Sequence, residues 1–448
     1  MNSIKYIIVN LCRLLLALTF ILSGYVKAVD PLGTQYKLQD YLTALSMGDI
    51  LPDWMTLGTA VALAAIEFCL GIFLLFAIHR RMVSKLTLAF MLVMTALTVW
   101  IAATDPVQDC GCFGDALILT NTQTLLKNVV LLTAAVIVSR WPLLMLRFIS
   151  KSNQWIVINY TILFIVFTSI LCLYDLPIFD FRPYHIGADI HKGMEIPEGE
   201  QPPQFETTFI LEKDGEQKEF TLENYPDSTW TFIDSKTVMT SKGYVPPIHD
   251  FVIERVDDGE DITEEVLSDP GYTFLLISPS LEKASDSDFG TIDQLYEYSQ
   301  DHGYHFYCLT ASGDDAISRW TDLTGAEYQF CHTDPITLKT IIRSNPGLLL
   351  LKNGIIIRKW SHNNLPVFDP GLMSTPLDQL DIGHQPDDSA SRKVIEILLW
   401  FVLPLLLLTF ADRIWTWKKN KNEKIKIQDK DLKIEKTLDS STCQLFIN

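Results

Sequence analysis

The chain has 448 residues, 48% of them hydrophobic, with a mean hydropathy of +0.18 and a formal net charge of −18 from 36 Lys+Arg against 54 Asp+Glu. Those figures fit together only if the apolar and the acidic residues lie in different stretches, and they do: runs of bilayer-spanning length, roughly 18 to 20 residues, fall at 6–24, 57–78, 86–103, 121–139, 155–174 and 394–411, while 175–391 holds 39 acidic and 14 basic residues. The chain reads as a membrane protein with one large acidic soluble region, and a nucleic-acid partner is excluded because phosphate neutralisation needs clustered Lys/Arg.

In the first span, Arg13 interrupts the apolar run and no A-x-A site follows, so the segment is expected to be an uncleaved anchor rather than a signal peptide. Ser23, Gly24 and Lys27 at its far end read as a helix terminus with a snorkelling lysine. Residues 31–46 place Leu32, Tyr36, Leu38, Tyr41, Leu42 and Leu45 at mostly helical intervals, predicting an amphipathic helix that caps the bundle. The second span carries Glu67. A charge in hydrocarbon costs at least ~2.5 kcal/mol and normally faces a partner or a cavity. Counted from the span ends, Arg13 and Glu67 differ in depth by only ~6 Å at ~1.5 Å per residue, which predicts contact between them. Two readings stand, an ion pair that registers spans 1 and 2 or a polar site for a proton or a quinone head group.

Basic residues set orientation. Lys5 precedes span 1; Arg80, Arg81 and Lys85 join spans 2 and 3; Arg140, Arg147 and Lys151 join spans 4 and 5; a Lys-rich tail (412–448) follows span 6. These segments are expected to be cytoplasmic, in the inner membrane of a bacterium. The loop 105–120 has Asp105, Asp109 and Asp115 and no basic residue, and is expected in the periplasm together with the acidic region 175–391.

That loop contains Cys110-Gly111-Cys112-Phe113-Gly114. A Cys-x-Cys pair closes only a small strained ring, and strain makes a disulfide easier to reduce, which suits electron exchange. Glycine relaxes the backbone for the turn, while Asp109 and Asp115 oppose thiolate formation by like charge. The competing readings are two free thiols or a zinc half-site without its other ligands, and no metal is expected. Of the other cysteines, Cys12, Cys69 and Cys172 belong to spans and Cys443 to the tail.

Beyond span 5, residues 185–243 alternate apolar and polar side chains with Asp214-Gly215 between runs, predicting a small β-rich segment. From 244 strands and helices alternate: a continuous apolar strand 272–278, a helix 287–301, a strand 304–310, a helix 314–323, the run Gln329-Phe330-Cys331, a helix 335–343, and a hairpin turned by Asn353-Gly354. Cys308 and Cys331 in these strands read as buried thiols. A Pro/Asp/Ser-rich linker, 366–391, leads to span 6.

Residues 244–365 resemble a thioredoxin-like domain of the membrane-tethered TlpA and redoxin type, with Asn345-Pro346 where that fold places its cis-proline. The family's Cys-x-x-Cys is missing, since Ser278-Pro279-Ser280-Leu281 follows the first core strand. Residues 5–145 resemble the DoxX-like superfamily and within it the methylamine-utilisation protein MauE, through Arg13, the Ser23-Gly24-Tyr25-Val26-Lys27 element, Glu67, Gly71 and the Cys110–Gly114 element. The resemblance implies a four-helix membrane unit (1–150) that forms or transfers disulfides in exported proteins, with a thioredoxin-like protein as companion. Two further spans complete an α-helical membrane bundle joined to a soluble α/β domain. The expected function is disulfide exchange through Cys110 and Cys112 with exported thiol proteins; the alternative is a non-enzymatic anchor or small-molecule-binding module whose thioredoxin-like domain binds a partner. No cofactor is required, a quinone being the one candidate.

Overall fold

The computed structural model describes residues 2–423, apart from 49, 107–110, 203, 214–215, 222–223, 225, 227–229, 242, 370, 387–388 and 420. Cys110, Cys443 and the Asp214-Gly215 turn lie outside the described residues. Among the described residues, six helices are long and apolar enough to cross a membrane: Ser3–Val29, Asp53–Phe76, Arg80–Thr104, Asn121–Arg140, Lys151–Tyr174 and Ala390–Glu423. The chain divides into two units, 1–181 with 387–448, and 182–386.

In the first unit, α1 (Asn2–Val29) packs against α3 (Asp53–Phe76), α5 (Asn121–Arg140) and α6 (Gln154–Tyr174), and α4 (Arg80–Thr104) packs on α5. The α1–α3 contact is set by small residues. A Cβ on Gly24 would lie 2.4 Å from the Phe68 backbone nitrogen and 2.8 Å from the Ala64 carbonyl; one on Gly71 would lie 2.7 Å from the Ile21 nitrogen and 3.0 Å from the Ala17 carbonyl. Both pairs, Ala17 with Gly71 and Gly24 with Ala64, are seven residues apart on each helix, so one register holds along the whole antiparallel seam. Thr120 starts α5 with a reciprocal cap, its side chain accepting from the Gln123 N–H while the Gln123 side chain accepts from the Thr120 N–H. Asn128 donates to Thr98 at 3.3 Å and Asn121 to Asp105 at 2.6 Å, tying α5 to α4 and its end.

The helix expected at 31–46 is present as α2 (Pro31–Ala44), capped by Asp30 and packed on α3. Its inner face is not the Leu/Tyr stripe. Pro31 and Gln35 are the buried positions, and the Gln35 amide donates to the Asp53 carbonyl at 3.0 Å and to Thr56 at 3.1 Å. Span 6 opens with α12 (Ala390–Ile397) and a π-helical stretch, Leu398–Val402. There Phe401 packs between Phe68, Phe164 and Tyr160, and the Tyr160 hydroxyl donates to the Trp400 carbonyl. Further along, buried Asp412 accepts from the Ser150 N–H and hydroxyl and from Asn153, holding the chain just ahead of α6. A carboxylate there offsets the positive end of the helix.

The second unit begins with α7 (Ile190–Met194) and an antiparallel three-stranded sheet of order β2-β1-β3, from β1 (Gln204–Lys213), β2 (Glu216–Thr221) and β3 (Thr231–Ser241). A six-stranded sheet follows, of order β4-β7-β6-β5-β8-β9. Its strands are β4 (Glu254–Arg255), β5 (Tyr272–Ser278), β6 (His305–Thr310), β7 (Gln329–His332), β8 (Gly347–Lys352) and β9 (Ile355–Ser361), with α8 (Thr263–Ser268), α9 (Phe289–Asp301), α10 (Asp314–Thr324) and α11 (Pro335–Ile341) between them. Strands β5, β6 and β7 run parallel and β8 antiparallel to β5, the β-α-β plus hairpin arrangement of a thioredoxin-like sheet. Every residue of β5 is buried, as its unbroken apolar sequence requires. Asn353 and Gly354 take φ of 52° and 71° and turn the β8–β9 hairpin, so both positions need the left-handed region.

A polar cluster beneath the CGCFG loop

The site grows from the α1–α3 register. Pairing Ala17 with Gly71 and Gly24 with Ala64 puts Arg13 level with residue 75, eight residues from Glu67, or about 12 Å along the helix. The expected contact between Arg13 and Glu67 is therefore not made. The depths read from the sequence erred because they treat the two helix ends as level: at this register Phe76, the last residue of α3, faces Cys12, whereas α1 begins ten residues further out at Asn2.

Glu67 instead pairs with Lys27, Nζ to Oε1 at 2.6 Å, with both side chains about 95% buried (5% and 4% exposed). Lys27 is thus not a snorkelling lysine; its ammonium turns inward. Ser23, one turn before it, also receives the ammonium at 3.3 Å. The Ser23 hydroxyl has two acceptors, Glu67 Oε2 at 2.6 Å and the Cys112 carbonyl at 2.7 Å. One hydroxyl carries one proton. It donates to one of these acceptors at a time, so the serine links the carboxylate to the loop backbone.

Ser23 is also what fixes the loop. Gly111 and Gly114 have φ of +58° and +51°, and the Gly114 N–H donates to the Gly111 carbonyl at 3.1 Å, closing the turn that presents Cys112. A side chain at Gly111 would press on Lys37, its Cβ 3.1 Å from the lysine Cγ. Phe113 is buried beneath Lys127, whose ammonium stands 4.4 Å from the ring centre. Cys112, Ser23, Lys27, Glu67, Lys127 and Asn128 all line one cavity of about 30 Å³. Such a space takes about one water, not an aromatic ring.

Residues 5–140 match the family described as Methylamine utilisation protein MauE. The membrane unit is MauE-like over that stretch. Residues 205–242, the three-stranded sheet, match a domain family of unknown function. No curated protein matches the chain. Among solved structures, a candidate protein disulfide isomerase from Bacteroides thetaiotaomicron is 15% identical, over 26% of this chain and 76% of that one, with a TM-score of 0.21. The thioredoxin-like assignment rests on the strand order above, not on that superposition.

The thioredoxin-like domain places no thiol where its fold would carry one. The Asn345–Pro346 bond is cis, as the sequence position led us to expect. Asn345 accepts from Ser278 at 2.7 Å and donates to the Ser280 carbonyl at 2.8 Å, so serines and an amide occupy that corner. Cys308 and Cys331 are both fully buried, and burial pushes both thiols up, Cys331 to about 12. We expect neither to react with maleimide at pH 8 in the native full-length chain, and both to react after unfolding in guanidinium; modification of either in the native protein, mapped by mass spectrometry, would contradict this burial.

Arg13 serves another part of the bundle. It donates to the Leu146 carbonyl and lies over the Phe148 ring at 5.3 Å, and Asn10 brackets the same segment by donating to the Leu144 carbonyl and accepting from the Leu146 N–H. Sequence reasoning had Ser23 and Lys27 in hand but not their role. Their spacing of four residues, facing a single intramembrane carboxylate, was the available signal.

Proposed function

We propose that the chain is a membrane-embedded thiol–disulfide exchange protein in which Cys110 and Cys112 cycle between dithiol and disulfide. The observation that carries this is the hold on the loop: the Cys112 carbonyl is bound by Ser23, which is bound to Glu67, which is paired with Lys27. A buried ion pair is thus tied through one hydroxyl to the backbone of the loop that carries the two cysteines, which holds that loop in a fixed place at the end of the bundle. With Cys308 and Cys331 buried and no thiol beside the cis-proline, exchange falls to the CGCFG loop.

In this reading a thiolate of the pair attacks one sulfur of a client disulfide, the client S–S bond breaks, and the freed client thiolate takes a proton. The second thiol of the pair then displaces the client from the mixed disulfide. Two electrons and two protons pass to the client, and the reverse sequence oxidises a client dithiol. We assign the exchange to exported thiol proteins or a separate thioredoxin-like protein, the partners that a Cys-x-Cys pair in a loop outside the spans can reach. The Lys/Arg distribution supports a bacterial cytoplasmic membrane with the loop and residues 175–391 on the periplasmic side.

The test uses the full-length chain in proteoliposomes with a fluorescent disulfide-bonded peptide. Cys110→Ala and Cys112→Ala should each abolish turnover, and one of them should accumulate a mixed disulfide visible as a reducible mass increase. Wild-type turnover in both single variants would leave the non-enzymatic anchor as the function.

A further inference from the structure

At the end of the bundle where α3 turns into α4, three arginines converge. Arg13 is level with the last turn of α3, Arg80 opens α4, and Arg147 lies in the connection 141–149. Arg13 and Arg80 both reach the backbone of that connection, Arg13 at Leu146 beside Arg147 and Arg80 at Leu143. Each is only partly used. Arg13 donates to the Leu146 carbonyl and Arg80 to the Leu143 carbonyl at 2.9 Å, yet Nε of all three is buried without a hydrogen-bond partner. Arg13 as a whole is 3% exposed. None of the three has a carboxylate partner among the described residues, and the buried carboxylate of this region, Asp412, has its oxygens taken by Ser150 and Asn153.

Three permanent charges with unpaired donors in a half-dry setting repel one another and cost free energy unless an anion joins them. A guanidinium offers donors in a planar fork that matches phosphate oxygens. We propose that Arg13, Arg80 and Arg147 form a binding site for a phosphate group, which an anionic phospholipid of the adjoining leaflet supplies. The lipid source fits what surrounds the site, since Leu11, Met82 and Leu143 are exposed apolar side chains next to it in sequence, available to acyl chains.

The experiment takes full-length protein in phosphatidylcholine nanodiscs and adds either phosphatidylglycerol or inorganic phosphate, reading bound lipid by native mass spectrometry and Tm by intrinsic fluorescence. Phosphatidylglycerol should bind and raise Tm. Arg147→Gln, whose side chain holds no backbone carbonyl, should match or exceed the wild-type Tm in phosphatidylcholine, because one of three mutually repelling charges is gone, but bind the anionic lipid about tenfold more weakly, as loss of one charged hydrogen-bonding group predicts. An equal rise with inorganic phosphate, lost in Arg147→Gln, would support the phosphate site and assign its source to solution. The proposal is overturned if neither ligand binds beyond the phosphatidylcholine control, or if Arg147→Gln and Arg80→Gln bind both as the wild type does.

Discussion

Glu67→Ala should be among the most damaging single changes in the membrane unit, destabilising it by about 3 to 5 kcal/mol, because it strands the Lys27 ammonium in a site with almost no water. The ion pair is 2.6 Å long and nearly sealed. Replacing both partners by apolar side chains of similar volume, Lys27→Met with Glu67→Met, should recover most of that loss, since a paired charge is stabilising mainly relative to a lone one. The recovery separates structure from chemistry. If the cluster serves exchange, the double variant folds but turns over the disulfide peptide far more slowly than the wild type. Unfolding by chemical denaturation in detergent measures the first effect and peptide turnover the second. A double variant as unstable as Glu67→Ala would show that the charges hold the bundle through contacts other than their own pair.

The second large effect should come from Gly24→Val. Any Cβ at that position meets the Phe68 nitrogen at 2.4 Å and the Ala64 carbonyl at 2.8 Å, and neither is the movable tip of a side chain. Helices α1 and α3 would have to separate. Overpacking of this kind costs typically about 1 to 3 kcal/mol, but its consequence reaches further here, because the same seam sets the Lys27–Glu67 distance. We therefore expect Gly24→Val to lower both stability and peptide turnover, and Gly58→Val, on the same α3 but in open space, to alter neither. Equal behaviour of the two variants in thermal unfolding would refute the close approach as the register-setting contact.

How Glu67 is paired shows where sequence reading stops. Arg13 and Glu67 stand out in the sequence, whereas Ser23 and Lys27 read as an ordinary helix terminus, so the sequence offers Glu67 the wrong partner. Counting depth from span ends assumes that the two ends are level, whereas α1 begins ten residues beyond the position that faces the end of α3, and no local pattern reveals that overhang. Lys27 was read as reaching for the interface because long amphipathic side chains near a span end commonly do so. Its burial follows from the loop above it, which comes from far along the chain: Ser23 meets the Cys112 carbonyl across 89 positions of sequence. Asp412 was not singled out at all, since an acid just beyond an apolar run looks like an ordinary solvated end. Its role as an anchor for Ser150 and Asn153 exists only once span 6 packs beside the start of α6.

What the sequence by itself determined is local in origin. Runs of apolar residues made the six spans, unbroken apolar strands between helices made the buried sheet with β5 at its middle, Asn353-Gly354 made the hairpin, and Ser278-Pro279-Ser280-Leu281 stands after the first core strand where a Cys-x-x-Cys was looked for. Each depends on residues within one element and on periodicities the backbone imposes. Only the tertiary structure decided which charge meets which. Lys27 with Glu67, Ser23 with Cys112, and Arg13 with the 141–149 connection all depend on how closely two helices approach, and at the α1–α3 seam that distance is set by the side chains Gly24 and Gly71 do not have.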